Sequence, residues 1–361
     1  MNNVLYVLLA ILVLELLIFI HELGHYTAGK LLGFRILGFS LGFGPAIFKF
    51  KKGDTEYAFR AIPFGGSCQF DGEDEEAEND PRRFNANPVW KRLIVIFAGP
   101  FMNILAAYLI AFVLFIATPM PVYATNPETG EMIPKIETVS ENSPAERAGL
   151  KSGDILVAVD GKVPEADGKS GTIEAFVSAI GASDGEFSLD VERDGEMLTL
   201  NFTDAYDAKE KRTLIGVTIT GAVEGTKHYN FWQSITGAGE YLVEIVKMTG
   251  QAIGGMFKNG IKRGDVSGVV GTVGIMAKEA RARIDSLVYI AVILSLSLGI
   301  FNLIPFPALD GGRILFLIIE GIIGRPLNRK IEGIVNGIGL VLLFGLMIAV
   351  TISDIASLVG K

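Results

Sequence analysis

The chain of 361 residues has one cysteine and three histidines, and its 40 acidic residues outnumber its 32 basic ones. A single cysteine, Cys68, excludes an internal disulfide. The net charge of −8 argues against nucleic acid as a partner, because surfaces that bind phosphates are basic. The N-terminal segment lacks the basic region and the small-residue cleavage site of a signal peptide. We therefore expect it to be retained as a membrane helix.

Hydrophobic residues make up 50% of the chain, and the mean hydropathy is +0.42. This is too apolar for an ordinary soluble protein and too polar for a bare membrane bundle. Four apolar segments approach the roughly 20 residues needed to cross a bilayer: about 4–30, 93–119, 287–304 and 331–352. The predicted fold class is an α-helical polytopic membrane protein with about four transmembrane helices, a membrane-associated β-hairpin and an inserted α+β domain.

Lys and Arg residues are concentrated in two connections between these segments. The connection between the first and second spans has nine, and that between the third and fourth has four. Because positively charged connections stay in the cytoplasm, we expect both to be cytoplasmic. The long stretch between the second and third spans is then extracytoplasmic.

About two-thirds of the way along, the first span contains the pentapeptide His21-Glu-Leu-Gly-His25, after an apolar stretch whose single acid is Glu15. Residues four apart share a helix face, so both imidazoles can bind one Zn²⁺. Glu22 is then free to act as a general base. The alternative is a pair of core histidines, which is disfavoured because polar residues in a membrane helix are costly and usually functional.

A catalytic zinc ion usually has three protein ligands, so a third must come from elsewhere. Asp310 follows Pro305 and Pro307, which break the third span at membrane depth. Our topology brings it to the depth of the histidines. The spacing alone fits equally well a simple helix-ending turn at the membrane surface, so it does not decide between the two.

Two further segments have recognisable patterns. Residues 36–66 include a run in which successive side chains alternate between two faces, followed by a turn at Lys52-Gly53-Asp54. This pattern predicts a β-hairpin. Its edge could pair with an unwound substrate helix, or it could be an ordinary cytoplasmic hairpin. Residues 134–161 predict a strand, a short helix capped by Ser143 with Pro144 in its first turn, and a second strand.

The second pattern closely resembles the core signature of a PDZ domain, which we place at 120–225. The resemblance implies binding of peptide C-termini by strand addition, unless the domain is only a spacer. We expect 226–286 to form amphipathic helices at the membrane surface. The remaining parts, 1–119 and 287–361, would form the membrane domain.

The chain as a whole resembles the site-2 protease family of intramembrane zinc metalloproteases, in the bacterial regulator-of-sigma-factor type with one PDZ domain. The matching motifs occur in the family's order and cover essentially the whole chain: 21–25, 42–45 with 64–66, 99–103 and 302–311. The resemblance implies Zn²⁺ as cofactor, bound by His21, His25 and Asp310, with Glu22 as the catalytic base.

The resemblance also implies residues that contact the substrate. These are the Gly65-Gly66 pair in a hairpin that dips into the membrane and Asn302, which would hold either the substrate strand or the site geometry. As a weaker carry-over they include Asn103, for which helix packing near the site is the alternative. The implied partners are the lipid bilayer and single-span membrane proteins, such as anti-sigma factors after a first extracellular cut or remnant signal peptides. The implied location is the bacterial cytoplasmic (inner) membrane, with the active site near the cytoplasmic side.

Two other functions are compatible with parts of the sequence. A membrane adaptor would recruit peptides and use zinc only structurally, but a structural site does not need Glu22. A transporter would also place polar residues at mid-membrane, but the chain lacks the inverted repeats of many transporters.

Overall fold

The computed structural model describes residues 3–73, 80–127, 129–165, 171–207, 212–260 and 266–359. They form two compact units. We call Met1–Phe115 with Phe231–Lys361 the membrane unit, and Ile116–Asn230 the inserted unit.

The secondary-structure elements follow one another in this order: α1 (Asn3–Leu31), β1 (Ile36–Lys52), β2 (Thr55–Phe70), α2 (Val89–Ala117), β3 (Met120–Tyr123), β4 (Pro134–Val139), α3 (Pro144–Arg147), β5 (Ile155–Val159), α4 (Gly171–Ala182), β6 (Phe187–Arg193), β7 (Glu196–Phe202), β8 (Tyr206–Asp207), β9 (Arg212–Thr213), β10 (Val217–Gly221), β11 (Val223–Lys227), α5 (Phe231–Asn259), α6 (Val269–Ala282), α7 (Ser286–Asn302), α8 (Asp310–Ile323) and α9 (Arg329–Val359).

Three helices in the described part of the chain, α1, α2 and α9, are long and apolar enough to cross a membrane. The predicted third span is α7, which is apolar but has only 17 residues. At 1.5 Å per residue it is about 25 Å long, shorter than a hydrocarbon core of about 30 Å. Its crossing of the bilayer therefore stays a prediction.

Glycines let three helices of the membrane unit approach one another closely. A Cβ at Gly24 of α1 would lie 2.3 Å from the carbonyl oxygen of Ala98 in α2. A Cβ at Gly299 of α7 would lie 2.8 Å from the carbonyl oxygen of Pro100, also in α2. Membrane helices commonly pack through such small residues, because van der Waals contact replaces the hydrophobic effect there. The helix α2 is therefore fixed between α1 and α7.

The helices α5 and α6, which we expected at the membrane surface, each pack one face inside the membrane unit. In α6, Met276 is fully buried with Ala10 of α1. In α5, Ala238 is fully buried with Ala107 of α2. Other side chains of α5, such as Trp232, remain exposed.

A buried ion-pair network joins α2, α8 and α9. The guanidinium of Arg92 donates two hydrogen bonds to the carboxylate of Glu320 on α8. Arg329 of α9 donates to the same carboxylate at 3.1 Å and to Glu332 at 2.7 Å. Arg92 and Glu320 are only 3% and 5% exposed. Because an unpaired buried charge is costly, each partner holds the other in place.

The inserted unit contains a five-stranded antiparallel sheet in the order β10-β4-β5-β6-β7. Its core includes Ile136, Phe176 and Leu189, all at most 1% exposed. The predicted cap of α3 is confirmed: the backbone N–H of Glu146 donates to Ser143 Oγ, and Pro144 occupies the first helical turn. The helix α4 packs beside β10, which forms one edge of the sheet.

A buried carboxylate orders the turn before β5 in the inserted unit. Asp154 accepts hydrogen bonds from Arg193 at 2.6 and 2.7 Å and from the backbone N–H of Lys151 at 2.8 Å. Burial opposes ionisation, but these hydrogen bonds outweigh it and lower the pKa of Asp154 below its ordinary value. The ionised form is therefore the one that stabilises the fold.

We predict that Asp154→Asn lowers the free energy of unfolding of the inserted unit by about 3 kcal/mol, because it leaves Arg193 unpaired. Hydrogen exchange of β5 and β6 in the full chain measures this. Asp194→Asn, in the exposed turn between β6 and β7, is the matched control. The stabilisation is complete above the ordinary Asp pKa of about 3.9 and is lost as pH falls below it. Equal exchange in both variants would contradict the prediction.

Candidate metal centre

The two histidines of the pentapeptide lie one turn apart on α1, with their rings 4.8 Å apart. His25 Nδ1 lies 2.9 Å from the carbonyl oxygen of Val95 on α2. A carbonyl oxygen can only accept, so Nδ1 carries the proton and Nε2 keeps its lone pair. Both histidines are buried. Contact with α2 thus sets the tautomer of His25 that a metal requires.

Asp310 is the first residue of α8, directly after the break that ends α7. Gly311 and Gly312 allow the break to fold back on the start of α8: a Cβ on either would lie 2.2–2.3 Å from a carbonyl oxygen of the break. Within the break, Ala308 has a φ of 73°, and its N–H donates to Asn336 Oδ1 of α9. This turn carries Asp310 to the two histidines.

The three donor atoms form a compact triangle. Asp310 Oδ2 lies 3.0 Å from His21 Nε2 and 3.4 Å from His25 Nε2, and the two nitrogens are 3.2 Å apart. Tetrahedral zinc with bonds of about 2.0–2.1 Å separates its ligand atoms by about 3.3 Å. Asp310 Oδ2 is also buried, and none of the described residues donates a hydrogen bond to it. Converging lone pairs at these distances fit a cation between them.

Asn103 of α2 lies behind His21 and is fully buried. Its carboxamide is 3.3 Å from His21 Nδ1, and its Oδ1 has no hydrogen-bond partner in the described chain. The two ends of a carboxamide have nearly the same shape. With Oδ1 turned to Nδ1, it accepts that proton and leaves His21 Nε2 free for a metal. The geometry thus supports orientation of His21 by Asn103, and the contact of Asn103 with substrate stays a prediction.

Glu22 lies on the wall of a cavity of about 480 Å³ that also includes the three donor residues. Its carboxyl interacts with the backbone N–H of Cys68 on β2. The predicted contact residues Asn302, Gly65 and Gly66 all line this cavity. Gly66 is needed there, because a Cβ would lie 2.7 Å from Glu22 Cγ. The hairpin therefore forms one wall of the cavity.

The cavity wall includes one ion pair that we did not predict from the sequence. Arg313, one turn after Asp310 on α8, donates to the carboxylate of Glu73 just after β2. The guanidinium also lies 5.8 Å from the ring centroid of Phe84. The spacing of Arg313 from Asp310 was the one signal for its position, because residues three apart share a helix face.

Comparison with known proteins places this site in a family. The model described as "Peptidase family M50" matches residues 9–346. The chain belongs to peptidase family M50. It is similar over nearly its whole length to proteins named for the same chemistry. "Putative zinc metalloprotease all3971" of Nostoc sp. is 36% identical, covering 98% of this chain and 96% of that protein.

Two other relatives have related names. "Putative zinc metalloprotease Atu1380" of Agrobacterium fabrum is 34% identical over 98% of this chain and 97% of that protein. "Membrane metalloprotease ARASP, chloroplastic" of Arabidopsis thaliana is 32% identical over 95% of this chain and 78% of that protein. This M50 peptidase is thus a zinc metalloprotease, as expected from the pentapeptide, and a membrane protein.

We predict that Gly99→Ala strongly reduces zinc binding by this M50 peptidase. A Cβ at position 99 of α2 would lie 2.2 Å from His25 Nε2, the atom that faces the other donors. Zinc per protein, measured on detergent-purified variants, checks this. Gly345→Ala in α9, where a Cβ would have no neighbour within 4 Å, is the matched control. A full zinc complement in Gly99→Ala would disprove the steric argument.

We predict that Asn103→Leu weakens zinc binding about 10- to 100-fold, as is typical when the hydrogen bond orienting a histidine ligand is lost. Asn103→Asp keeps an acceptor for His21 Nδ1 and should bind zinc more tightly than Asn103→Leu. Competition with a chelator measures both affinities. Equal affinities for Asn103→Leu and the unmodified protein would show that Asn103 only fills space.

Proposed function

We propose that this protein is an intramembrane zinc endopeptidase that cleaves transmembrane segments of single-span membrane proteins. The observation that carries the proposal is the triangle of His21, His25 and Asp310, which opens with Glu22 onto one cavity. The histidines lie on α1, a helix long and apolar enough to span a membrane. A peptide must therefore reach this site at membrane depth.

Each residue of the site has a distinct part in the proposed reaction. His21, His25 and Asp310 would hold zinc, which when bound supplies Lewis acidity and lowers the pKa of water toward about 7. Glu22, beside the triangle, takes a proton from the attacking water and returns it to the leaving amine. Asn103 keeps the His21 imidazole in the metal-binding tautomer.

The hairpin β1–β2 is suited to present the substrate. A transmembrane helix hides its peptide bonds in its own hydrogen bonds, so it must be unwound before cleavage. Within the hairpin, residues 38–41 of β1 pair with β2 on both sides, whereas residues 66–70 of β2 form an outer edge. An extended peptide can add to such an edge by backbone hydrogen bonds. Gly66 brings β2 next to Glu22, and Gly65 and Asn302 line the same cavity. We assign these three residues to substrate binding.

The inserted unit is assigned to selecting substrates. We propose that it is a PDZ domain, supported by the edge strand β10 with α4 beside it, where a peptide C-terminus can add as a further strand. The charge distribution favours an extracytoplasmic position for this unit and an active site near the cytoplasmic side of a bacterial inner membrane. Trimmed anti-sigma factors and remnant signal peptides are the substrates proposed for such regulated proteolysis.

We predict that Glu22→Gln retains zinc but cleaves a model single-span substrate at least 10²-fold more slowly, because an amide cannot accept the proton. The measurement pairs zinc content with cleavage in detergent by the full chain. His21→Ala serves as the comparison that should lose zinc and cleavage together. If several trimmed substrates bind but none is cleaved by the unmodified, zinc-loaded protein, the adaptor function replaces the protease function.

A further inference from the structure

One buried acid of the membrane unit has no part in the chemistry described so far. Glu15 on α1 is 8% exposed, and both of its carboxyl oxygens are buried without a hydrogen-bond partner among the described residues. Its helix is otherwise apolar up to the pentapeptide. A polar group buried without a partner is costly, and in membrane helices such groups usually have a function.

The position of Glu15 on the helix relates it to the active site. Glu15 and Glu22 are seven residues apart, so they differ by about 20° around the axis and by about 10.5 Å along it. Ile18 lies between them on this side of α1 and lines the same cavity as Glu22. Glu15 therefore lies two turns before Glu22 on nearly the same side of α1, in the direction away from the zinc triangle.

The hairpin packs along the same part of α1. A Cβ at Gly66 of β2 would lie 2.7 Å from Glu22 Cγ and 3.2 Å from Ile18 Cγ2. Two residues earlier in β2, Phe64 packs in a cluster that includes Leu14 of α1. This part of β2 therefore packs along α1 on the N-terminal side of Glu22, which is the part of the helix that contains Glu15.

We propose that Glu15 is a specificity residue that accepts a hydrogen bond from a donor side chain of the substrate, a hydroxyl, amide or ammonium group. An extended peptide advances about 3.3–3.4 Å per residue, so 10.5 Å along α1 corresponds to about three residues from the scissile bond. In this proposal, the Glu15 carboxyl gains a hydrogen-bond partner when a substrate is bound. This inference rests on the proposed endopeptidase function.

The test uses full-length protein in detergent and single-span substrates that differ at one residue. Thr and Val have nearly the same shape and differ by a hydroxyl, so each is placed in turn two to four residues from the scissile bond, on either side. We expect kcat/KM to be about 10-fold higher for Thr than for Val at one position, as one hydrogen bond allows. In Glu15→Leu that ratio should fall to about one, whereas Leu16→Ala, on the exposed side of α1, should keep it.

Three results would overturn the inference. The first is a Thr-to-Val ratio near one at every position in the unmodified protein, and the second is a preference that survives in Glu15→Leu. An equal loss toward every substrate, with a lower unfolding temperature, would assign Glu15 to packing and would also overturn it.

A binding measurement separates this inference from the proposed function. The dissociation constants of labelled Thr and Val substrates are compared in Glu22→Gln and in the Glu15→Leu/Glu22→Gln double variant. A Thr preference lost only in the double variant supports the subsite even if the unmodified protein cleaves nothing. Cleavage without any Thr preference in binding or in kcat/KM rejects the subsite and leaves the protease function intact.

Discussion

The metal centre depends on the close contact between α1 and α2. Gly24 and Gly99 leave no side chain between these helices, so the carbonyl oxygen of Val95 can reach His25 Nδ1. A methyl group at either position would separate the helices or displace the imidazole. The same contact brings Asn103 behind His21. The orientation of both histidines is therefore set by helix packing rather than by the pentapeptide itself.

The same helix α2 also positions the acidic donor. Its Arg92 fixes Glu320 near the end of α8, and Asp310 lies at the start of α8. At that start, the proline break and the two glycines determine where α8 begins. The helix α2 thus positions the imidazoles through Val95 and the Asp310 carboxylate through Arg92. Val95 and Arg92 lie one turn apart. The charge network is buried, so it holds this register more firmly than a surface ion pair would.

Much of this arrangement could be predicted from the sequence because it depends on local pattern. Helical spacing places His21 and His25 on one face, and Pro305 and Pro307 end a helix wherever they occur. The cap at Ser143 is local in the same sense. In contrast, Arg92 and Glu320 are 228 residues apart, and no pattern in either segment shows that they meet. The role of Asn103 is not visible in the sequence either, because it depends on which nitrogen of which histidine its carboxamide faces.

The length of α7 shows another limit of sequence reasoning. An apolar run of 18 residues predicted a span, but the structure has a helix of 17 residues followed by irregular backbone. Hydropathy reports the solvent that a segment prefers, and it does not report where the backbone leaves the helix. Irregular backbone in a membrane is tolerated where its polar groups find partners in the protein, and the N–H of Ala308 in this turn donates to Asn336 of α9.

The proposed zinc ligands come from two segments that lie far apart in the chain, since His25 precedes Asp310 by 285 residues. A metal bound by both would act as a cross-link, in a chain whose single cysteine cannot form one internally. The loop that it closes contains the whole inserted unit. Because the entropy of loop closure grows only with the logarithm of loop length, changes in the size of that unit have little effect on how easily the cross-link forms. The inserted unit can therefore change in size during evolution with little effect on the metal site.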